Sequence, residues 1–434
     1  MMNTEARNDK QHDVPTVSRV CGDTIVELVY DREKRDTALV VSRFGGLWNI
    51  ERELVIATGE RLVPYSPRNN LIVNDCVLLP TKPEECGHKH ELIGDIERFL
   101  HRYLDLSPIF ERIAAHYILL TWVYDAFAEL PYLRLRGDYG TGKTRGLIAI
   151  GSVCYKPFFA AGASTVSPIF HTLDTFGGTL ILDEADFRFS DATADLVKIF
   201  NNGTVRGLPV LRTVTNRHRE FNPAAFKVFG PKIIAMRGSF EDAALESRFL
   251  TEETGTRPLR SDIPLHLPES LHREARELRN RLLHFRLCNL FSTKVDPALA
   301  DRDLAPRFNQ ITLSLLSLID DPELRRDIQG GLRQEHRRIL HNRSLTLEAK
   351  VIGAVLEAFN GASQSSVSIG EIADKLNADQ YLGFAPVSPR RVGSILRESL
   401  KIETRKSHGS YVVSLSDKAK VEAFAARHGV GYPQ

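Results

Sequence analysis

Cysteine is scarce and badly spaced for any framework. Cys21, Cys76, Cys86, Cys154 and Cys288 are scattered, odd in number and form no C-x-x-C pair. That argues against a disulfide scaffold or a zinc knuckle and suits a reducing compartment. Cys86-Gly-His88-Lys-His90 has the residue types of a metal site but falls short of the closely grouped ligands structural zinc needs. Long apolar runs are missing too. The stretch from Tyr117 to Phe127 is broken by Asp125 and suits a buried helix, and no segment approaches the ~20 residues of a membrane span. Met1 to Val14 is polar and lacks the apolar centre of a secretory signal. A cytoplasmic protein without a membrane partner is the expectation. Strong charge imbalance is also absent: the net charge is +2, so any polyanion must be held by local patches. Internal repeats and low-complexity tracts are absent as well.

What is present is an ordinary globular composition, 42% hydrophobic and 26% charged over 434 residues, enough for two to four domains. Residues 1–18 are expected to be disordered. From 19 to 86 the pattern alternates at strand period (Thr24 to Tyr30, Ala38 to Val41, Leu54 to Ile56, Leu71 to Val73, Val77 to Leu79), with turns at Gly45-Gly46, Gly59 and Asn69-Asn70. This predicts a small β-rich domain. Over 87–130, apolar spacings of three and four predict two helices, about 91–105 and 107–128. Residues 131–255 alternate strand and helix, which predicts an α/β core with a parallel sheet covered on both faces. Within it, Ser239-x-x-Asp242 resembles a capping box. Residues 256–345 are helical and arginine-rich. Residues 346–434 give three helices (about 346–360, 369–377 and 388–400, with Ser388 as cap and Pro389 in first position), then a hairpin around Ser407-His-Gly-Ser410. Three helices and a hairpin predict a winged helix.

The chemistry concentrates in the core. Gly137-Asp138-Tyr139-Gly140-Thr141-Gly142-Lys143-Thr144 matches the phosphate-loop pattern G-x-x-x-x-G-K-[ST]. A strand-like run (Tyr132, Leu133, Leu135) leads in and a helix-like run (Arg145, Leu147, Ile148, Ile150) leads out. The glycines let backbone amides approach phosphate oxygens where a Cβ would intrude. Lys143 would neutralise the β- and γ-phosphates and Thr144 would give a hydroxyl to Mg²⁺. The apolar strand Leu180 to Leu182 then ends in Asp183-Glu184. Asp183 is expected in the Mg²⁺ shell and Glu184 is expected to orient or deprotonate water. A mere glycine-rich turn would leave that acid pair unexplained. ATP and Mg²⁺ are therefore the expected ligands. Arg248 lies where a short helix meets the last strand, and its guanidinium could reach a γ-phosphate on a neighbouring subunit. The bland alternative is a surface ion pair.

Phosphate loop, Asp-Glu strand, further strand, then a helix ending Ser247-Arg248-Phe249 is similar to the order in AAA+ ATPases. Ser247-Arg248-Phe249 resembles the arginine-finger motif of minichromosome maintenance helicases. Residues from about 95 onward, with Asn201 to Gly207 and Val210 to Arg212, resemble helicase-like ATPases of plasmids, prophages and integrative elements. The resemblance implies an ATP hydrolase that moves DNA as a ring, a hexamer, with 256–345 as a helical lid. It implies a sensor after the strand Lys232 to Met236, for which Arg237 is the nearest candidate. It also implies a second, lid-borne sensor among Arg273, Arg276 and Arg279. The segment Val210 to Val228 would be a pore hairpin, with Arg217 and Arg219 as contacts to single-stranded DNA or, equally, as a solvated tip. In the winged helix, Arg390, Arg391, Arg405 and Lys406 could meet duplex DNA, or the module could dock protein. A regulatory or defence ATPase, whose nucleotide state controls assembly, is the rival to a motor.

Overall fold

The computed structural model describes residues 13–43, 45–162, 164–183, 191–215, 221–240, 242–361, 365–378, 386–407 and 409–431. They form two compact units, 1–332 and 333–434. Among the described residues no helix is long and apolar enough to cross a membrane.

The first unit opens with strands β1 (Asp13–Thr16), β2 (Ser18–Cys21), β3 (Thr24–Asp31), β4 (Asp36–Arg43), β5 (Leu47–Glu51), β6 (Leu54–Val55) and β7 (Arg61–Pro64). The order β2-β3-β4-β5 is an antiparallel meander, and β1-β7-β6 is a second small sheet. Leu71 to Val73, expected as strand, is instead the helical turn α1 (Asn70–Val73). Asn69 Oδ1 accepts the Leu71 N–H at 2.9 Å, and this cap favours helix where apolar alternation suggested strand. Helices α2 (Lys89–Tyr103) and α3 (Pro108–Trp122) follow. The expected continuation of α3 to residue 128 fails because Asp125 is drawn into an ion pair with Arg286 at 2.6 and 2.7 Å. The chain tightens there into a 3-10 turn.

The core comprises β8 (Tyr132–Arg136), α4 (Lys143–Val153), β9 (Phe158–Ala160), α5 (Val166–Phe176), β10 (Leu180–Leu182), α6 (Asp191–Asn202), the hairpin β11 (Val210–Thr215) and β12 (Phe221–Phe226), β13 (Lys232–Met236), α7 (Ala243–Glu246) and β14 (Phe249–Glu253). Five of these strands pair in the order β14-β8-β13-β10-β9, every pairing parallel. A parallel sheet buried on both faces suits near-continuous apolar runs, and β10 and β13 are buried throughout. Asp242, not Ser239, caps α7: its Oδ1 accepts the Ala244 N–H at 2.8 Å, while Ser239 is taken by the Arg136 guanidinium. The unit continues through α8 (Glu269–Asn289) and α9 (Pro306–Leu316).

The N-terminal strands share one apolar cluster with the core: Val26, Leu28 and Leu39 pack in the same body as Phe158, Phe170 and Leu180. A buried charge network joins them. Glu27 on β3 accepts from Lys156 Nζ, Arg286 Nε and Tyr155 OH, each at 2.8 Å. Glu27, Lys156 and Arg286 are each only 1% exposed. With Asp125, two carboxylates balance two cations.

Helix α10 (Pro322–Ser344) leads to the elements of the second unit: α11 (Leu347–Gly361), β15 (Ser366–Ser368), α12 (Ile369–Ala378), α13 (Pro389–Ser394), β16 (Arg405–Ser407), β17 (Ser410–Ser414) and α14 (Lys418–Arg427). The antiparallel order is β15-β17-β16. The cap at Ser388 is present, its Oγ accepting the Arg391 N–H at 3.3 Å.

Burial pushes the Glu27 carboxyl upward, but Lys156 and Arg286 outweigh it and hold the group at about 2, against an ordinary 4.5. A depressed carboxylate stabilises the fold fully above the unfolded value and loses that contribution as pH falls toward the folded value. This amounts to about 3 kcal/mol lost between the two. Glu27→Gln should lower unfolding free energy at pH 7 by about 3–5 kcal/mol, the cost of orphaning buried cations. It should also flatten the acid limb of a urea-denaturation series between pH 4.5 and 2.

Candidate nucleotide site

The sheet order sets the site. β13 lies between β8 and β10, so the C-terminal ends of three parallel strands open on one edge, where ligands of α/β sheets gather. β8 delivers the loop 137–142, β10 delivers Asp183, and β13 delivers Arg237.

The loop is held from both sides. Gly137 N–H donates to Met236 O at 3.3 Å. A Cβ on Gly137 would meet Thr254 Oγ1 at 2.3 Å, so no larger residue fits. Thr254, just past β14, lies 2.8 Å from Thr141 Oγ1, hydroxyl to hydroxyl, and its N–H donates to Arg136 O at 2.7 Å. Thr141 also donates to Asp138 O at 2.8 Å, and Asp138 Oδ1 accepts the Tyr139 N–H at 2.7 Å. Gly140 and Gly142 take positive φ of 70° and 85°, and a Cβ on either would meet nothing within 4 Å. The loop is thus locked at its base and open at its mouth, and Gly142 caps α4 in the left-handed conformation. Free N–H groups at that helix start make an anion cradle.

Lys143 Nζ sits over this loop, donating to Gly137 O at 2.8 Å and Asp138 O at 2.6 Å. Thr144 Oγ1 donates to Asp183 Oδ2 at 2.7 Å. A hydroxyl and a carboxylate from different elements meet one residue along from that lysine. Hard oxygen donors of this kind suit Mg²⁺, which prefers few protein ligands and keeps its waters for substrate phosphates. Arg237 is exposed and covers Tyr139, its guanidinium carbon 4.1 Å from the ring centroid and Nη1 donating to the phenol. Tyr139 itself is 75% exposed at the loop tip. Glu184, Arg217 and Arg219 lie outside the described residues.

Arg248 is turned into the protein. It is 4% exposed. Nε donates to Thr204 Oγ1 at 3.2 Å, and Nη1 donates to Ala244 O at 3.2 Å and to the Asn201 side chain. Asn201 Nδ2 in turn donates to Asp242 at 2.9 Å. A guanidinium with three intramolecular acceptors pins the end of α6 to α7. Asn201 and Thr204 are the partners that sequence reasoning missed. Two polar residues around Gly203 gave no periodic signal.

Two of the three lid candidates line another cavity. Arg279 is buried and its Nη1 donates to Ser152 O. Ser152 is nine residues beyond Lys143 on α4, or about 14 Å along the axis. Arg276 and Arg279 line a separate cavity with Ile148 and Ser152. Neither is part of the nucleotide site. Arg390, Arg391, Arg405 and Lys406 are exposed on the second unit, beside buried Val392, Leu396 and Ile402.

No family model and no curated protein matches the chain. Among solved structures, the apo A form of the NrS-1 C-terminal region is 11% identical with a TM-score of 0.36, covering 90% of this chain and 96% of that one. SCCmec type IV Cch, described as an active helicase, is 13% identical with a TM-score of 0.34, covering 94% and 96%. Aeropyrum pernix ORC1 in complex with DNA is 15% identical with a TM-score of 0.20, covering 81% and 93%. Likenesses this weak establish no shared activity.

Arg248→Ala should destabilise the protein by about 3 kcal/mol, since three acceptors lose a buried charged donor. Mixing Arg248→Ala with Lys143→Ala protein should restore no ATP turnover at any ratio, as followed by phosphate release.

Proposed function

We propose that this chain is an ATP hydrolase that acts on DNA, a motor of the AAA+ kind. The observation that carries this is the 2.7 Å bond from the Thr144 hydroxyl to Asp183, beside a lysine and a glycine-rich helix start. A phosphate cradle needs only the loop. The added carboxylate is the part that hydrolysis of a metal-bound triphosphate requires. Loop amides and Lys143 bind the β- and γ-phosphates, and Thr144 and Asp183 hold the metal. Bound Mg²⁺ supplies charge neutralisation on the phosphate oxygens. Glu184, next in sequence to Asp183, orients and deprotonates the attacking water. Arg237, stacked on Tyr139, would be the sensor for the γ-phosphate.

The DNA part of the reading draws on the second unit. Its order of helix, strand, helix, helix and β-hairpin supports a winged helix. Residues 388–410 carry six basic side chains against two acids. Arg390 and Arg391 on the first turn of α13, and Arg405 and Lys406 on β16, are exposed. Among the described residues none of the four makes an ion pair. Such a face fits a phosphate backbone, with α13 directed to a groove. Arg217 and Arg219, between β11 and β12 in sequence, would grip single-stranded DNA. A ring of subunits, a hexamer of mobile-element type, is the assembly this motor implies.

One observation favours the rival reading, a regulatory ATPase. A ring that fires in sequence needs an arginine from the neighbouring subunit, and Arg248 is turned inward. A switch has no such need.

ATP turnover measured with and without single-stranded DNA, with Lys143→Ala as blank, divides the two. A motor gives strong stimulation, lost in Glu184→Gln and in Arg217→Ala/Arg219→Ala. Turnover indifferent to DNA points to the switch. In a duplex-binding titration, Arg390→Ala/Arg391→Ala should weaken binding across sequences and reduce the salt slope by about 2, one per phosphate contact.

A further inference from the structure

A second cavity, about 500 Å³, opens between the end of β3, the turn after α1 and helix α8. It shares no residue with the phosphate loop. Tyr30 and Phe159 contribute aromatic rings to its wall, and Arg32, Arg276 and Arg279 contribute guanidinium groups. Two carboxylates also line it, Asp75 and Glu269. Asp75 is already paired with Arg32.

Arg279 and Arg276 are the anomaly. Arg279 is 6% exposed, donates through Nη1 to the Ser152 carbonyl and leaves Nε with no partner. Among the described residues no carboxylate pairs with it. Arg276, three residues earlier on the same face of α8, makes no hydrogen bond or ion pair among the described residues. A buried guanidinium without a counter-charge is costly, and a second one nearby adds repulsion. Burial, then Arg276 and Arg32, drag the Arg279 group down to about 9. An anion seated between them would reverse all of these costs at once. The adjoining hollow extends the basic surface with Arg35 and Arg68. The size lies in the range of small-molecule sites, and aromatic walls beside paired arginines suit a flat ring carrying phosphate.

We propose that this cavity binds a mononucleotide-sized phosphorylated ligand, its phosphate on Arg276 and Arg279 and its ring against Tyr30 and Phe159, at a site separate from the phosphate loop. The ligand would draw on Arg279, and through Ser152 on the far end of α4, the helix whose first turn holds Lys143 and Thr144.

The test uses full-length Lys143→Ala protein, which silences the phosphate loop, so its outcome does not depend on the loop's activity. Fluorescently labelled ADP and GDP are titrated by anisotropy, with unlabelled nucleotides, inorganic pyrophosphate and a single-stranded oligonucleotide as competitors. Saturable binding is expected, displaced better by mononucleotide than by pyrophosphate. Adding Arg276→Ala should weaken it about tenfold, the loss of one charge-assisted pair. Arg276 is only half-buried, so that variant should keep its unfolding midpoint, whereas Arg279→Met tests the buried partner at greater risk to the fold. No saturable binding in Lys143→Ala protein would overturn the proposal, as would binding unchanged by Arg276→Ala. Displacement by the oligonucleotide but not by mononucleotide would overturn it too, and so would pyrophosphate competing as well as nucleotide.

Discussion

A carboxylate removed from water survives ionised only if cations meet it, and Glu27 is met by two. Its cations come from the turn after α4 (Lys156) and from α8 (Arg286), and Arg286 also pairs with Asp125 in the turn after α3. One ionic cluster therefore fixes the N-terminal meander, the helix that leaves the phosphate loop, and the long helix that closes the second cavity. Replacing such a network by apolar residues need not destabilise a fold, but removing one member does. This constraint explains why the β-rich N-terminus packs into the same body as the parallel sheet.

The nucleotide site depends on the same frame by a shorter route. Parallel pairing of β8 with β13 and of β13 with β10 brings a loop, an arginine and an aspartate to one edge. The Thr141–Thr254 contact and the steric fit at Gly137 then tie the loop base to the edge strand β14. A change in β14 would thus be felt at the loop.

Much of this was legible in the sequence, because backbone chemistry wrote it there. The glycines of 137–142 are dictated by positive φ and close approach, Lys143 and Thr144 by phosphate and metal, and Asp183 by a strand that must be apolar until its tip. The strands of the parallel sheet were legible as apolar runs. Buried charge was not. Glu27, Lys156 and Arg134 occupy positions that composition assigns to the surface, and their ion-pair partners lie far away in sequence. The Leu71 to Val73 turn was misread because a side-chain cap overrides a three-residue pattern. The burial of Arg248 was not legible because a motif fixes a residue's order along the chain but not the direction of its side chain. Asn201 and Thr204, its acceptors, lie in a segment whose pattern was legible but whose partner was not.

The central claim is that Thr144 and Asp183 form one half of a metal–triphosphate site. Calorimetric titration of a slowly hydrolysed ATP analogue, with and without Mg²⁺, into wild-type and Asp183→Asn protein tests it most directly. Mg²⁺ should tighten binding to the wild type and leave the variant nearly unaffected. Equal tightening in both, or none in the wild type, would contradict the assignment.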